Sequence, residues 1–208
     1  MISTWCAGLP FVDPEKWRAR KEKLRKRLIE DLEIGYLDED ILDILRKLFE
    51  FEDIYTISSC SGRITFIDGN LPWERKDSSI VFKKHQPIKL EELLEVLNTP
   101  TLRRLWLVVT GPIIHASALN MRSARKLLTI ARESGMKHSG ILSINKEKGI
   151  IVELKTGIRL THLLKISQHT LLKESEAEEI VRVANESLIE GKKRLNKLRE
   201  LLGIQKLV

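Results

Sequence analysis

Cysteine is almost missing from this chain: Cys6 and Cys60 are the two in 208 residues. So sparse a pair excludes a disulfide scaffold, and the length makes one unnecessary, since roughly 150 residues already bury about 70% of their unfolded surface. Both thiols are expected to be reduced in a cytoplasmic protein. Long apolar runs are missing as well. The longest, Leu105 to Val109, with Ile113 to Ile114 shorter still, falls far short of the roughly 20 residues that a membrane-spanning helix needs. The first fifteen residues carry no basic stretch followed by an apolar one, so no signal peptide is expected. Glutamine occurs only three times beside abundant Lys, Glu, Ile and Leu, a bias associated with thermophilic sources. The chain has no G-x-x-x-x-G-K-[ST] loop and no G-x-G-x-x-G after a strand, which excludes the common nucleotide-binding fingerprints. No two histidines stand at i and i+4 and the cysteines are isolated, so no metal site is expected.

What is present is charge. The 36 Lys and Arg exceed the 29 Asp and Glu, for a net charge of +7. From Lys16 to Arg27 there are eight bases and one acid, and from Asp31 to Asp53 nine acids and two bases. Near the end Lys192, Lys193, Arg194, Lys197, Arg199 and Lys206 face Glu200 alone. Basic faces of this kind suit a polyanion such as nucleic acid, through phosphate contacts and counterion release. They equally suit the solvated helix faces of a charge-rich thermostable chain.

The hydrophobic period divides the chain. Asp13-Pro14 reads as an N-cap with proline at the first helical position, and Trp17, Lys21, Leu24 and Leu28 continue a basic helix to about Asp31. Gly35 breaks it. Asp38 opens a second helix with the apolar stripe Ile41, Leu42, Leu45, Leu48 and Phe49, and the two helices are expected to form a hairpin. Short strands follow at 54–57, 63–67 and 79–83, then a helix at 90–97, strands at 105–109 and 113–118, and a helix from Asn120 to Ser134 stopped by Gly135. Strands at 138–144, 150–154 and 159–164 close the series, the first two joined by a five-residue loop, Asn145 to Gly149. A long last helix opens at Ser175 with Glu178 as a capping box. Strands and helices do not alternate strictly, so the fold class is α+β, with packed helices on a mixed, mainly antiparallel sheet and a long C-terminal helix. The order strands then helix recurs over 53–98 and 104–165, which allows an internal duplication. One domain over 1–166 and a helical extension over 167–208, set apart as an arm or a partner surface, are expected.

Ser58-Ser59-Cys60-Ser61-Gly62-Arg63 lies between two strand patterns and has the composition of an anion-binding turn, with hydroxyls and backbone N–H groups donating and Arg63 supplying a fork. It reads equally as an ordinary polar turn. A Cys60 thiolate beside Arg63 is a weaker candidate, as a nucleophile without a base. His85 and His115, each in a strand pattern, are candidate proton acceptors or hydrogen-bonded structural residues. Arg122, Arg125, Lys126 and Arg132 form the wet face of one helix, close in sequence to the Ser139-Gly140 turn.

Taken together, these segments resemble the tRNA wybutosine-synthesizing protein 3 family in its archaeal form, over about residues 16–165. Ile54-Tyr55-Thr56-Ile57-Ser58-Ser59-Cys60-Ser61-Gly62-Arg63-Ile64 resembles the signature strand-turn-strand. Ser79 to His85 and Pro112-Ile113-Ile114-His115 resemble the second and third motifs. Ala124 to Ala131, Gly135 to Ile141 and Ile151 to Leu154 resemble the helix and closing strands. The chain departs from the family where Lys76-Asp77-Ser78 replaces a frequent Lys-Gly-Gly and where Gly111-Pro112 replaces a frequent Glu-Pro.

The resemblance implies S-adenosyl-L-methionine as methyl donor and methylation of N4 of the wyosine-type tricyclic base next to the anticodon of tRNA(Phe). On that reading His85 or His115 acts catalytically. Ser58, Ser59, Cys60, Ser61, Gly62, Arg63, Ser139 and Gly140 hold the cofactor's carboxylate or an RNA phosphate. Arg122, Arg125, Lys126, Lys192, Lys193 and Arg194 meet the tRNA, and Tyr55 or Trp106 stacks on the extruded base. A non-catalytic tRNA-binding module is the alternative. Binding of S-adenosylmethionine separates the two.

Overall fold

Asp13 opens the first helix as the spacing predicts. Its carboxylate accepts the backbone N–H groups of Glu15 and Lys16 at 3.1 and 3.2 Å, and Pro14 takes the first helical position, where the missing N–H costs nothing. The computed structural model describes residues 11–204; Cys6 and Lys206 lie outside them. The chain divides into two compact units, one of residues 11–60, 113–155 and 197–204, the other of 61–112 and 156–196.

In the first unit α1 (Pro14–Glu33) and α2 (Leu42–Glu50) both pack on β1 (Ile54–Cys60). Trp17, Phe49 and Tyr55 form the centre of that contact, with Leu24, Leu28 and Ile57 around it. This packing on the strand takes the place of a simple helical hairpin. Apolar residues of α1 lie along one stripe and so need a single partner surface. β1 heads a sheet in the order β1, β5 (Ile113–Ala118), β7 (Gly149–Lys155), β6 (Gly140–Asn145), and α4 (Met121–Glu133) covers β7 and β5. The β6–β7 loop is shorter than the sequence reading, three residues between Asn145 and Gly149, which pair directly. Asn145 Oδ1 accepts the N–H groups of Glu147 and Lys148 at 2.9 Å each. Gly149 has φ +85, and a Cβ there would sit 2.6 Å from both Ser117 Oγ and Trp17 Nε1, so no side chain fits.

In the second unit β2 (Arg63–Asp68), β3 (Ser79–Lys84), β4 (Arg104–Thr110), β8 (Arg159–Ile166) and β9 (His169–Thr170) form a sheet in the order β3, β2, β4, β8, β9. Every strand pair in both sheets is antiparallel; one isolated bridge, Lys137 to Lys155, is parallel. The architecture is therefore α+β with two antiparallel sheets. α3 (Leu90–Asn98) and α5 (Glu174–Leu201) pack on the second sheet through Leu93, Val96, Ala177, Val181, Ala184 and Leu188, which share a core with Phe66, Leu105 and Leu107.

The last helix does not stand apart as an arm over these residues. Asn185 pins it further, since its amide accepts Ile88 N–H and donates to Ile88 O, both at 2.8 Å. The helix begins at Glu174, so Ser175 lies inside it rather than at its cap. The stretches 53–98 and 104–165 each give strands to both sheets, and the repeated order of strands and helix does not mark two modules. Asp77 adopts φ +57. This is the left-handed region that glycine favours and aspartate tolerates, so the chain's departure from Lys-Gly-Gly keeps a residue able to make the turn.

Candidate active site

Strand register builds the site in the first unit. Ser58 on β1 stands opposite His115 on β5, His115 opposite Glu153 on β7, and Glu153 opposite Gly140 on β6. The β1 to β5 register shifts between Thr56 and Ser58. Ile57 is the extra residue of this β-bulge-like shift; with unshifted register Ile57 rather than Ser58 would stand opposite the histidine.

The three side chains join. Ser58 Oγ lies 2.8 Å from His115 Nδ1, and His115 Nε2 lies 3.1 Å from Glu153 Oε1. An ionised carboxylate can only accept, so Nε2 carries the hydrogen that Glu153 receives. In the neutral ring Nδ1 is then the acceptor, and Ser58 O–H donates to it. The far oxygen of Glu153 lies 3.8 Å from Lys155 Nζ. Ser58 is exposed, whereas the His115 and Glu153 side chains keep 29% and 17% of their surface. The chain of groups thus runs from solvent into a partly shielded interior. Chemically it can take a proton at the serine oxygen and store it on an imidazolium flanked by a carboxylate.

Beside β1 opens a cleft of about 130 Å³. Ser58, Ser59, Arg27, Asp31 and Tyr36 supply its polar and aromatic lining, and leucines of α1, α2 and the segment between them its apolar walls. Arg27 Nε lies 3.3 Å from Asp31 Oδ2.

The other sequence candidates fall in several places. Cys60 closes β1 and is half-buried. In the second unit Ser61 and Gly62 are buried and Arg63 opens β2 half-buried. Ser61 Oγ accepts from Lys192 Nζ at 2.7 Å, and Gly62 O accepts from His85 Nδ1 at 2.9 Å. Four of the six residues from Ser58 to Arg63 are strand, three closing β1 and one opening β2, so the segment leads from a strand of one sheet to a strand of the other. The Ser139 hydroxyl is committed within the first unit, donating to Met136 O at 2.6 Å and accepting from Lys155 N–H at 3.0 Å.

Among the basic candidates, Arg122 and Arg125 are exposed on α4, and Lys126 Nζ sits 4.2 Å from the centre of the Phe51 ring. On α5, Lys193 and Arg194 pair with Glu190 at 3.4 and 2.6 Å. Tyr55 is fully buried, its ring 4.9 Å from that of Trp17 and its hydroxyl donating to Lys148 O at 2.9 Å, so it cannot stack on a base. Trp106 donates through Nε1 to Gly69 O at 3.2 Å.

Sequence reasoning missed Glu153, Arg27, Asp31 and Tyr36. Glu153 carried one signal, an acid alternating with the buried Val152 and Leu154 and so on the opposite strand face.

A family model described as Methyltransferase TYW3 matches residues 19–203. A protein of Saccharolobus solfataricus named tRNA(Phe) 7-((3-amino-3-carboxypropyl)-4-demethylwyosine(37)-N(4))-methyltransferase is 48% identical over 188 residues, 90% of each chain. A protein of the same name from Thermococcus sibiricus is 33% identical over 197 residues, 95% of this chain and 98% of that one. The solved structure of PH1069 protein from Pyrococcus horikoshii superposes with a TM-score of 0.85 at 30% identity, covering 93% of this chain and 98% of that one.

Proposed function

The chain belongs to the Methyltransferase TYW3 family, and from that premise we propose that it methylates N4 of the 4-demethylwyosine-type base at position 37 of tRNA(Phe), with S-adenosyl-L-methionine as donor. The donor supplies an electrophilic methyl group on a sulfonium. This leaves the protein two tasks, to align the acceptor nitrogen and to remove its proton. The cleft beside Ser58 fits such a donor by the chemistry of its lining, which combines hydroxyls, one cation and one anion with aliphatic walls.

The observation that carries the reading is the hydrogen-bonded row Ser58, His115 and Glu153. On methyl transfer to N4 its proton would pass to Ser58 Oγ while the serine proton passes to His115 Nδ1. Glu153 stabilises the imidazolium so formed. His85, whose Nδ1 donates to Gly62 O within the second unit, is kept as a candidate orienting residue. Arg122, Arg125 and Lys126 contact tRNA phosphates.

The test is mass analysis of tRNA(Phe) carrying the demethylated base after incubation with protein and S-adenosylmethionine. One added methyl group on the modified nucleoside is expected. Binding of both substrates with no methyl transferred would replace this reading by that of a tRNA-binding module.

A further inference from the structure

We propose that Arg27 and Asp31 together bind an α-amino-acid end group, a carboxylate and an ammonium on one carbon, in the cleft beside Ser58. The inference rests on the methyltransferase reading and names what that cleft recognises. The two residues stand one turn apart on α1, and Arg27 approaches Asp31 side-on, with Nε 3.3 Å from one carboxylate oxygen. A guanidinium has five N–H donors. Among the described residues, Asp31 is the only ion-pair partner of Arg27, and it meets Nε, so the terminal nitrogens keep their fork for a carboxylate.

Asp31 is held in place. Its backbone oxygen accepts the N–H groups of Tyr36 and Leu37 at 2.9 and 3.0 Å, and 24% of its side chain remains exposed. Charge selects the ligand. A phosphate drawn to Arg27 would meet the Asp31 carboxylate, and a simple amine drawn to Asp31 would meet the guanidinium. Only a ligand with both signs on adjacent atoms is attracted by both. The hydroxyls of Ser58 and Ser59 line the same cleft and add neutral partners.

Two molecules of the proposed reaction carry this group. One is the methionyl end of the methyl donor. The other is the 3-amino-3-carboxypropyl chain that the relatives' names place on the base.

The experiment uses the full chain and its Arg27→Gln and Asp31→Asn variants. Both side chains reach solvent, and circular dichroism with thermal melting checks that each variant folds. Calorimetry measures S-adenosylmethionine against methylthioadenosine, which lacks the amino-acid end. Filter binding measures tRNA(Phe) with 4-demethylwyosine against the same tRNA carrying the 3-amino-3-carboxypropyl chain. Each variant is expected to lose about tenfold or more in affinity for one ligand with the amino-acid end, and to stay within about twofold for its counterpart without it. The ligand pair that responds identifies the source. Both variants binding all four ligands within about twofold of the parent chain overturns the proposal. The parent chain is assayed for methyl transfer in parallel: no transfer there defeats the functional reading, whereas transfer with unaffected variant binding defeats this one alone.

Discussion

A carboxylate accepts hydrogen bonds and donates none, and Glu153 uses that property twice: it fixes which nitrogen of His115 bears hydrogen, and it offers charge to the ring once a second proton arrives. Glutamine keeps an acceptor of the same length but not the charge, so Glu153→Gln separates the two roles. We expect the single-turnover methylation rate to fall by about tenfold to a hundredfold with both substrate affinities unchanged, and Glu153→Leu, which loses orientation as well, to fall further. Equal rates for the parent and glutamine chains would remove Glu153 from the proton path. Ser58 and His115 stood out in sequence because hydroxyl and imidazole side chains interrupt strand patterns, and the structure brings them together. Their partner was not, because antiparallel register brings residues 38 positions apart into contact and one bulged residue decides which side chain faces which. Tyr55 shows the opposite error: an aromatic inside a motif looked available to a base, and burial against Trp17 closes it.

Elements with a clear period were readable, and their neighbours were not. α1, α2, α4 and most strands follow directly from capping residues and alternation. The two-unit division does not. The chain passes between units at 60/61, 112/113, 155/156 and 196/197. The first three crossings each lie beside a glycine, Gly62, Gly111 or Gly157, and the fourth lies inside the last helix; in sequence a turn within one sheet looks the same as a link to another.

The start of α3 at Leu90 was readable from its period, but its cap was not, since Lys89 is not a capping type. Its cap comes from Glu92, which accepts Lys89 N–H at 2.8 Å and Lys84 Nζ at 2.7 and 2.9 Å. The Lys84 hydrogen bond first, then the Lys89 N–H, hold the Glu92 carboxyl below its ordinary 4.5. A depressed acid contributes stability that is fully present above the unfolded value and is lost as pH falls through the lower folded value. Glu92→Gln should therefore cost about 0.5–1 kcal/mol at neutral pH and progressively less below pH 4.5. Urea midpoints of both chains across that range check it, and a penalty constant down to acid pH would contradict the cap.

At the scale of the whole molecule the net charge of +7 overstates what is offered to a polyanion. The basic end of the last helix looked in sequence like the strongest phosphate-binding surface, but Lys193 and Arg194 are paired with Glu190, Lys192 donates to Ser61 and Arg199 is paired with Asp43. An exposed pair is worth little to stability, yet it changes the accounting for RNA, since a base already beside an acid releases less bound counterion when a phosphate arrives. Arg122 and Arg125 have no ion-pair partner among the described residues and are exposed on α4. Replacing both with alanine should make the log–log slope of tRNA affinity against salt shallower by about one for each arginine. The Lys193→Ala, Arg194→Ala pair should flatten it by clearly less, because Glu190 already partly neutralises both bases and few counterions are released from them. Affinities measured between about 50 and 200 mM salt resolve such differences. If the terminal pair changed the slope as much as the α4 pair, the ion pairs seen here would open on RNA binding and the last helix would return to the tRNA surface.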